Sequence, residues 1–168
     1  MEWTGACYAD KPTVEVRIRI DAPPHRVWRL VSEVELMPSI SQELQSVEWL
    51  DGATGPTVGA RFVGRSKHAA LGEWATTSEV IECEPERSLA WAVGDPDNPT
   101  AIWRFRLEPN DGGTELSQWM QMGPARSGLS VAIDRMPEKE QKIVFVRMRE
   151  FEQNMTVTLE HIKRLAES

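Results

Sequence analysis

The stretch RMPEKEQKIVFVRMREFEQNMTVTLEHIKRLAES, Arg135–Ser168, decides the fold. It reads as one uninterrupted helix. Pro137 fits the first helical position, where its missing N–H costs nothing, and Glu138 and Glu140 suit the positive end of the helix dipole. Val144, Met148, Phe151, Met155, Leu159, Ile162 and Leu165 recur at steps of three and four, which makes one apolar stripe. Lys163 and Arg164 fall in the last turn, where cations are favourable. About thirty residues at ~1.5 Å each predict a rod of roughly 45 Å. A rod of that length needs a wide surface to lie on.

The residues before it supply one. Thr13–Ile20 alternates, with Val14, Val16, Ile18 and Ile20 on one face and Glu15, Arg17 and Arg19 on the other, a half-buried strand. Ala22-Pro23-Pro24 stops it and opens a short helix carrying Val27, Trp28, Leu30 and Val31. Pro38 interrupts the next apolar residues, and Ser39 with Gln42 forms the pattern of a capping box for a second short helix. Leu44–Leu50, Ala60–Lys67, Glu73–Glu84, Ser88–Gly94, Ala101–Glu108 and Glu115–Met122 read as strands. They are separated by turn chemistry at 51–56, 71–72, 85–86, 95–99 and 110–113, and such short connections require antiparallel neighbours. Residues 123–134 read as a loop. The expected architecture is α+β: a curved antiparallel sheet of about seven strands around one long helix, two short helices closing one end. Residues 1–12 are an N-terminal extension and 13–168 a single domain. Because one helix cannot fill the hollow of so curled a sheet, a cavity between them is expected.

Composition narrows the function. The 168 residues are 40% apolar and 27% charged, ordinary values for a folded domain. A net charge of −7 with no basic cluster argues against nucleic acid or an anionic membrane surface as partner. No run of eighteen apolar residues predicts a membrane span, and Met1–Pro12 lacks the pattern of a signal peptide, so a cytoplasmic location is expected. Cys7 and Cys83 form no metal or redox motif. Seven tryptophans against one tyrosine bring large apolar areas that serve cores and ligand pockets alike.

Several phrases resemble the SRPBCC superfamily of START-like, Bet v 1-like helix-grip proteins, and within it the polyketide cyclase/dehydrase-type branch. They are Ile20-Asp21-Ala22-Pro23-Pro24-His25-Arg26-Val27-Trp28, the segment Trp49–Gly64, Glu82-Cys83-Glu84-Pro85, and Trp103-Arg104-Phe105-Arg106-Leu107-Glu108-Pro109 leading to Asp111–Leu116. The likeness covers nearly all of Val14–Ala166. It implies a pocket for a hydrophobic or amphipathic small molecule. It leaves open whether the chain also performs cyclisation, aromatisation or dehydration there.

Alternation selects the residues that face such a pocket: Phe62 and Gly64; Trp74, Thr76, Ser78 and Val80; Leu89, Trp91 and Val93; Trp103, Phe105 and Leu107; Leu116, Gln118 and Met120. Met148, Phe151 and Met155 add the helix side, with Asn154 at the edge of the stripe. The candidate ligand-binding residues are Phe62, Trp74, Ser78, Trp91, Trp103, Phe105, Gln118, Met120, Met148, Phe151, Asn154 and Met155. The plainer alternative is that they pack a filled core. No titratable group stands in this inward set, and Gln118 can orient a ligand but not act as a base. Glu73, Glu79, Arg65, His68 and Asp134 would contribute only if bulges or loops turned them inward.

Other signals are discounted. Gly59–Ser66 is one substitution from a P-loop but alternates as a strand, and His25, His68 and His161 lack ligand spacing for a metal. Asn154-Met155-Thr156 fits a glycosylation pattern but lies in a helix, and no Ser, Cys or Lys stands in a nucleophile motif. No cofactor is implied. Three readings remain: a binder of a lipophilic polyketide-, lipid- or isoprenoid-like molecule; a cyclase, aromatase or dehydratase using the same cavity; or a protein-interaction module, such as a homodimer, built on an exposed Trp3 or Trp119.

Overall fold

β1 (Thr13–Ile20) alternates as its sequence requires, with Val14 and Ile20 buried and Glu15, Arg17 and Arg19 turned outward. The structure, a computed structural model, describes all residues Met1–Ser168. Pro23 and Pro24 end β1's approach and start α1 (Pro24–Ser32), whose Val27 and Val31, one turn apart, are fully buried. A 3-10 turn at Val34–Leu36 runs into α2 (Met37–Ile40). Here the expected capping box does not form. Pro38 serves the first turn of α2 rather than breaking it, and Ser39 Oγ donates back to Leu36 O at 2.7 Å. The helix is over by Ser41, before Gln42 could take part.

Six strands follow: β2 (Leu44–Trp49), β3 (Arg61–His68), β4 (Gly72–Glu84), β5 (Ser88–Asp95), β6 (Asn98–Asn110) and β7 (Gly113–Met122). With β1 they form one antiparallel sheet in the order β1-β7-β6-β5-β4-β3-β2. Helices α1 and α2 therefore carry the chain from one edge to the other. β6 is longer than its alternation suggested: a bulge at Val93/Gly94 lets pairing run on to Asp95↔Asn98, so 95–99 is not wholly a turn. Pro99, which cannot donate to a ladder, sits beside that irregularity.

Residues 123–134, expected as loop, contain α3 (Gly128–Arg135). A 3-10 turn at Pro137–Lys139 then leads into α4 (Glu140–Glu167). The long α-helix thus begins three residues after Pro137, its expected first position, and is not continuous with Arg135, because Met136 leaves helical geometry between α3 and Pro137. Its stripe holds through Val144, Met148, Met155, Leu159 and Ile162 but passes to Ala166, leaving Leu165 42% exposed. Four residues from Ile162 to Ala166 keep the arc that three would leave.

Packing is uneven along α4. Its C-terminal half, through Leu159, Ile162 and Ala166, packs with α1, α2, Leu89, Phe105, Leu107 and Leu116 into a solid core. Its N-terminal half meets a separate cluster of Val14, Met120, Met122, Val144, Met148 and Met155. α4 lies chiefly over β1, so the middle of the sheet beside its N-terminal half is left uncovered.

Candidate functional site

A cavity of about 550 Å³ fills that uncovered space, within the range that takes a drug-sized ligand. Sheet register explains its floor. One inward row runs Val80–Trp91–Trp103–Met120–Val14, the next Phe62–Ser78–Val93–Ala101–Met122. From these rows Phe62, Ser78, Trp91, Val93, Trp103, Met120 and Met122 line the cavity, as do Gly64, Trp74 and Thr76. α4 forms the roof with Arg147, Phe151, Asn154, Met155 and Thr158. Val34, Met37, Ser41, Glu43 and Leu44 wall one side, and Ser127–Leu129 at the start of α3 the other. That second wall is tied down: Gly123 and Ala125 donate backbone N–H groups to Thr100 and Pro99, and Tyr8 Oη donates to Ala125 O at 2.6 Å.

Of the expected ligand-facing residues, all but Phe105 and Met148 reach this cavity. Phe105 shares its face with Trp103, but it lies two residues nearer the solid core and is wholly buried there, tilted against Trp91 at 6.1 Å. Met148 points into the cluster under the N-terminal half of α4. Four of the cavity's aromatics meet edge to face: Phe62 with Trp91 at 5.8 Å, and Trp103 with Phe151 at 5.4 Å and 90°. Gln118 is 7% exposed, and its Oε1 is sealed from solvent with no hydrogen-bond partner.

The expectation of no titratable group in the wall is corrected by Glu43 and Arg147. Arg147 is 6% exposed. Its Nη1 and Nη2 donate to the two Glu43 oxygens at 2.8 and 2.7 Å, and Asn154 Nδ2 donates to the same carboxylate at 2.8 Å. The Arg147 guanidinium also lies 4.2 Å from the centre of the Phe151 ring. Beyond the wall, Glu150 Oε1 stands 3.8 Å from Arg147, and Glu150 Oε2 stands 2.7 Å from His68 Nε2. His68 Nδ1 accepts the N–H groups of Ala70 and Leu71, so Nε2 carries the proton and donates to Glu150. The network binds α4 to the α2–β2 loop on one side and the β3–β4 turn on the other.

Glu73, Arg65 and Asp134 lie at the surface, Glu79 is half-buried outside the cavity lining, and His68 acts behind the wall. Gly59–Ser66 runs largely as strand β3, not as a phosphate loop. Arg147 carried a signal that periodicity can show: it sits three residues after Val144 and four before Phe151, a lone cation inside the apolar arc. Glu43, in a polar loop, carried none.

The sequence profile of the family described as polyketide cyclase/dehydrase and lipid transport matches residues 11–167. The chain belongs to that family. A polyketide-cyclase-like protein of Corynebacterium glutamicum, Cgl2372, is 32% identical, with 92% of this chain and 91% of that one covered and a TM-score of 0.66. The di-domain ARO/CYC protein BexL of the BE-7585A biosynthetic pathway shares the fold at 19% identity and a TM-score of 0.68. The match covers 94% of this chain and 50% of BexL. Ara h 8.0201 shares it at 13% identity and a TM-score of 0.57, with 90% and 97% covered. No curated protein matches the chain in sequence. Membership in the polyketide cyclase/dehydrase and lipid transport family accounts for the helix-grip arrangement of sheet and α4, and no helix is long and apolar enough to cross a membrane.

Proposed function

We propose that this protein binds a lipophilic small molecule, of polyketide, lipid or isoprenoid type, in the cavity between the sheet and α4. The observation that carries the reading is the cavity itself: about 550 Å³, walled by Trp74, Trp91, Trp103, Phe151 and Met155, in a domain whose other half is solidly packed. A filled core with an exposed tryptophan, as an interaction module would need, does not fit. Trp119 is half-buried, with the Arg104 guanidinium over its ring at 5.0 Å, and Trp3 is 55% exposed but packs edge-on against Phe145. Binding is favoured over turnover because the acid in the wall, Glu43, already accepts three hydrogen bonds from Arg147 and Asn154. With most of its acceptor positions used, it serves as an anchor rather than a free base.

Native mass spectrometry of the purified protein tests the reading. A co-purified species of a few hundred daltons, lost on denaturation and absent from Thr76→Trp, is the expected result, since an indole at residue 76 would project into the cavity. A wild-type protein that carries nothing, and that takes up no apolar probe on titration, would sink it.

A further inference from the structure

Gln118 sets a requirement on what enters the cavity. Across the sheet its inward neighbours are Val16 and Phe105, and along β7 they are Leu116 and Met120. None has a polar side chain. The buried Oε1 atom therefore finds no donor within the protein, and the side that can supply one is the cavity that Gln118 lines, which Oε1 meets when the amide turns about its last bond and exchanges places with the likewise unpartnered Nε2.

Charge sets a second requirement. Glu43 and Arg147 are the ionic residues of the lining, and they neutralise each other. Both terminal nitrogens of Arg147 are taken by Glu43, so no free cation awaits a carboxylate. An anionic ligand would have to displace Glu43 and leave that charge unpaired in a largely buried wall.

We propose that the cavity selects uncharged, mainly apolar molecules bearing a hydroxyl group, whose O–H donates to Gln118 Oε1. The proposal rests on the cavity being a binding site and names the chemical class it takes. Gln118 acts here by recognition, with no bond made or broken.

Three matched probes decide it by fluorescence titration at neutral pH: 1-hydroxypyrene, 1-methoxypyrene and pyrene-1-carboxylate. Hydroxypyrene is expected to bind about tenfold more tightly than methoxypyrene, the worth of one hydrogen bond to a buried acceptor. It should also exceed the carboxylate by about tenfold or more. In Gln118→Leu the hydroxyl-to-methoxy ratio should fall below about twofold. Should that variant fail to fold, the two wild-type ratios still decide the matter. Equal wild-type affinities for hydroxypyrene and methoxypyrene would overturn the proposal and leave the cavity a binding site. Tightest binding by the carboxylate would overturn it equally. Failure of all three probes would remove the binding reading itself.

Discussion

Arg147 Nη2 lies 2.7 Å from Glu43 Oε1, joining residues 104 apart in sequence across one wall of the cavity. The pair holds the α2–β2 loop against α4, and both side chains are largely buried, at 7% and 16% exposed. Breaking it from one side strands the other charge. Glu43→Ala should therefore lower stability by about 3 kcal/mol, whereas Glu43→Leu combined with Arg147→Met should cost about 1 kcal/mol or less. Urea unfolding of the single and double variants measures the coupling. Additive losses would show that the two residues do not act as a pair.

Trp103 and Phe105 separate cavity from core. Phe105→Ala removes a wholly buried ring and should cost about 3–5 kcal/mol. Trp103→Ala opens a ring that already faces the cavity, so its stability cost should be smaller. Affinity for 1-hydroxypyrene should move the other way, falling about tenfold in Trp103→Ala and less than threefold in folded Phe105→Ala. Equal affinity losses would argue against the division of the inward face drawn above.

Gly112 and Gly113 are adjacent glycines kept for different reasons. In the β6–β7 turn, Asp111 has φ 46° and Gly112 φ 80°, the left-handed pair of a tight hairpin. A Cβ on Gly112 would meet open space, but on Gly113 it would lie 2.4 Å from Ile20 O. Gly112→Asn should be tolerated within about 1 kcal/mol, since Asn accepts left-handed geometry. Gly113→Ala should cost about 1–3 kcal/mol by forcing β1 and β7 apart. Thermal melts of the two variants distinguish the causes.

Glu167 supplies an acid-sensitive clasp at the end of α4. A hydrogen bond from Lys163, then one from the Asp21 backbone N–H, holds its carboxyl below the ordinary glutamate range. The unfolded chain thus binds the proton more readily. The stability Glu167 contributes is complete above the ordinary glutamate range and is lost as pH falls through its lower folded value. Melting temperatures followed from about pH 6 to about pH 3 should decline less steeply in Glu167→Gln than in wild type. Parallel profiles would show that the carboxyl gains nothing from folding.

Much of the fold was legible because its signals are local. Alternation in β1, the proline pair before α1, the Asp111-Gly112 turn and the stripe of α4 each declare themselves within a few residues. The errors lie where local signals are weak or compete. Ser39 and Gln42 matched a capping pattern that Pro38 pre-empted, and α3 hid in a segment without a clear stripe. The candidate site divided along the same line. Alternation told which side of β6 Trp103 and Phe105 face, but not that one meets space and the other a packed core.

The sequence by itself determined the seven strands, the two short helices after β1, the long helix and the need for a hollow under it, because periodicity and turn chemistry act over neighbouring residues. Only the tertiary structure decided where the hollow lies and what charges it. α4 lies chiefly over β1 and packs tightly only toward its C-terminal end, so the space opens under Phe151 and Asn154. Glu43 becomes part of that wall through Arg147 and Asn154, more than a hundred residues away. A contact across that separation depends on how sheet and helix close on each other, which no window of sequence contains.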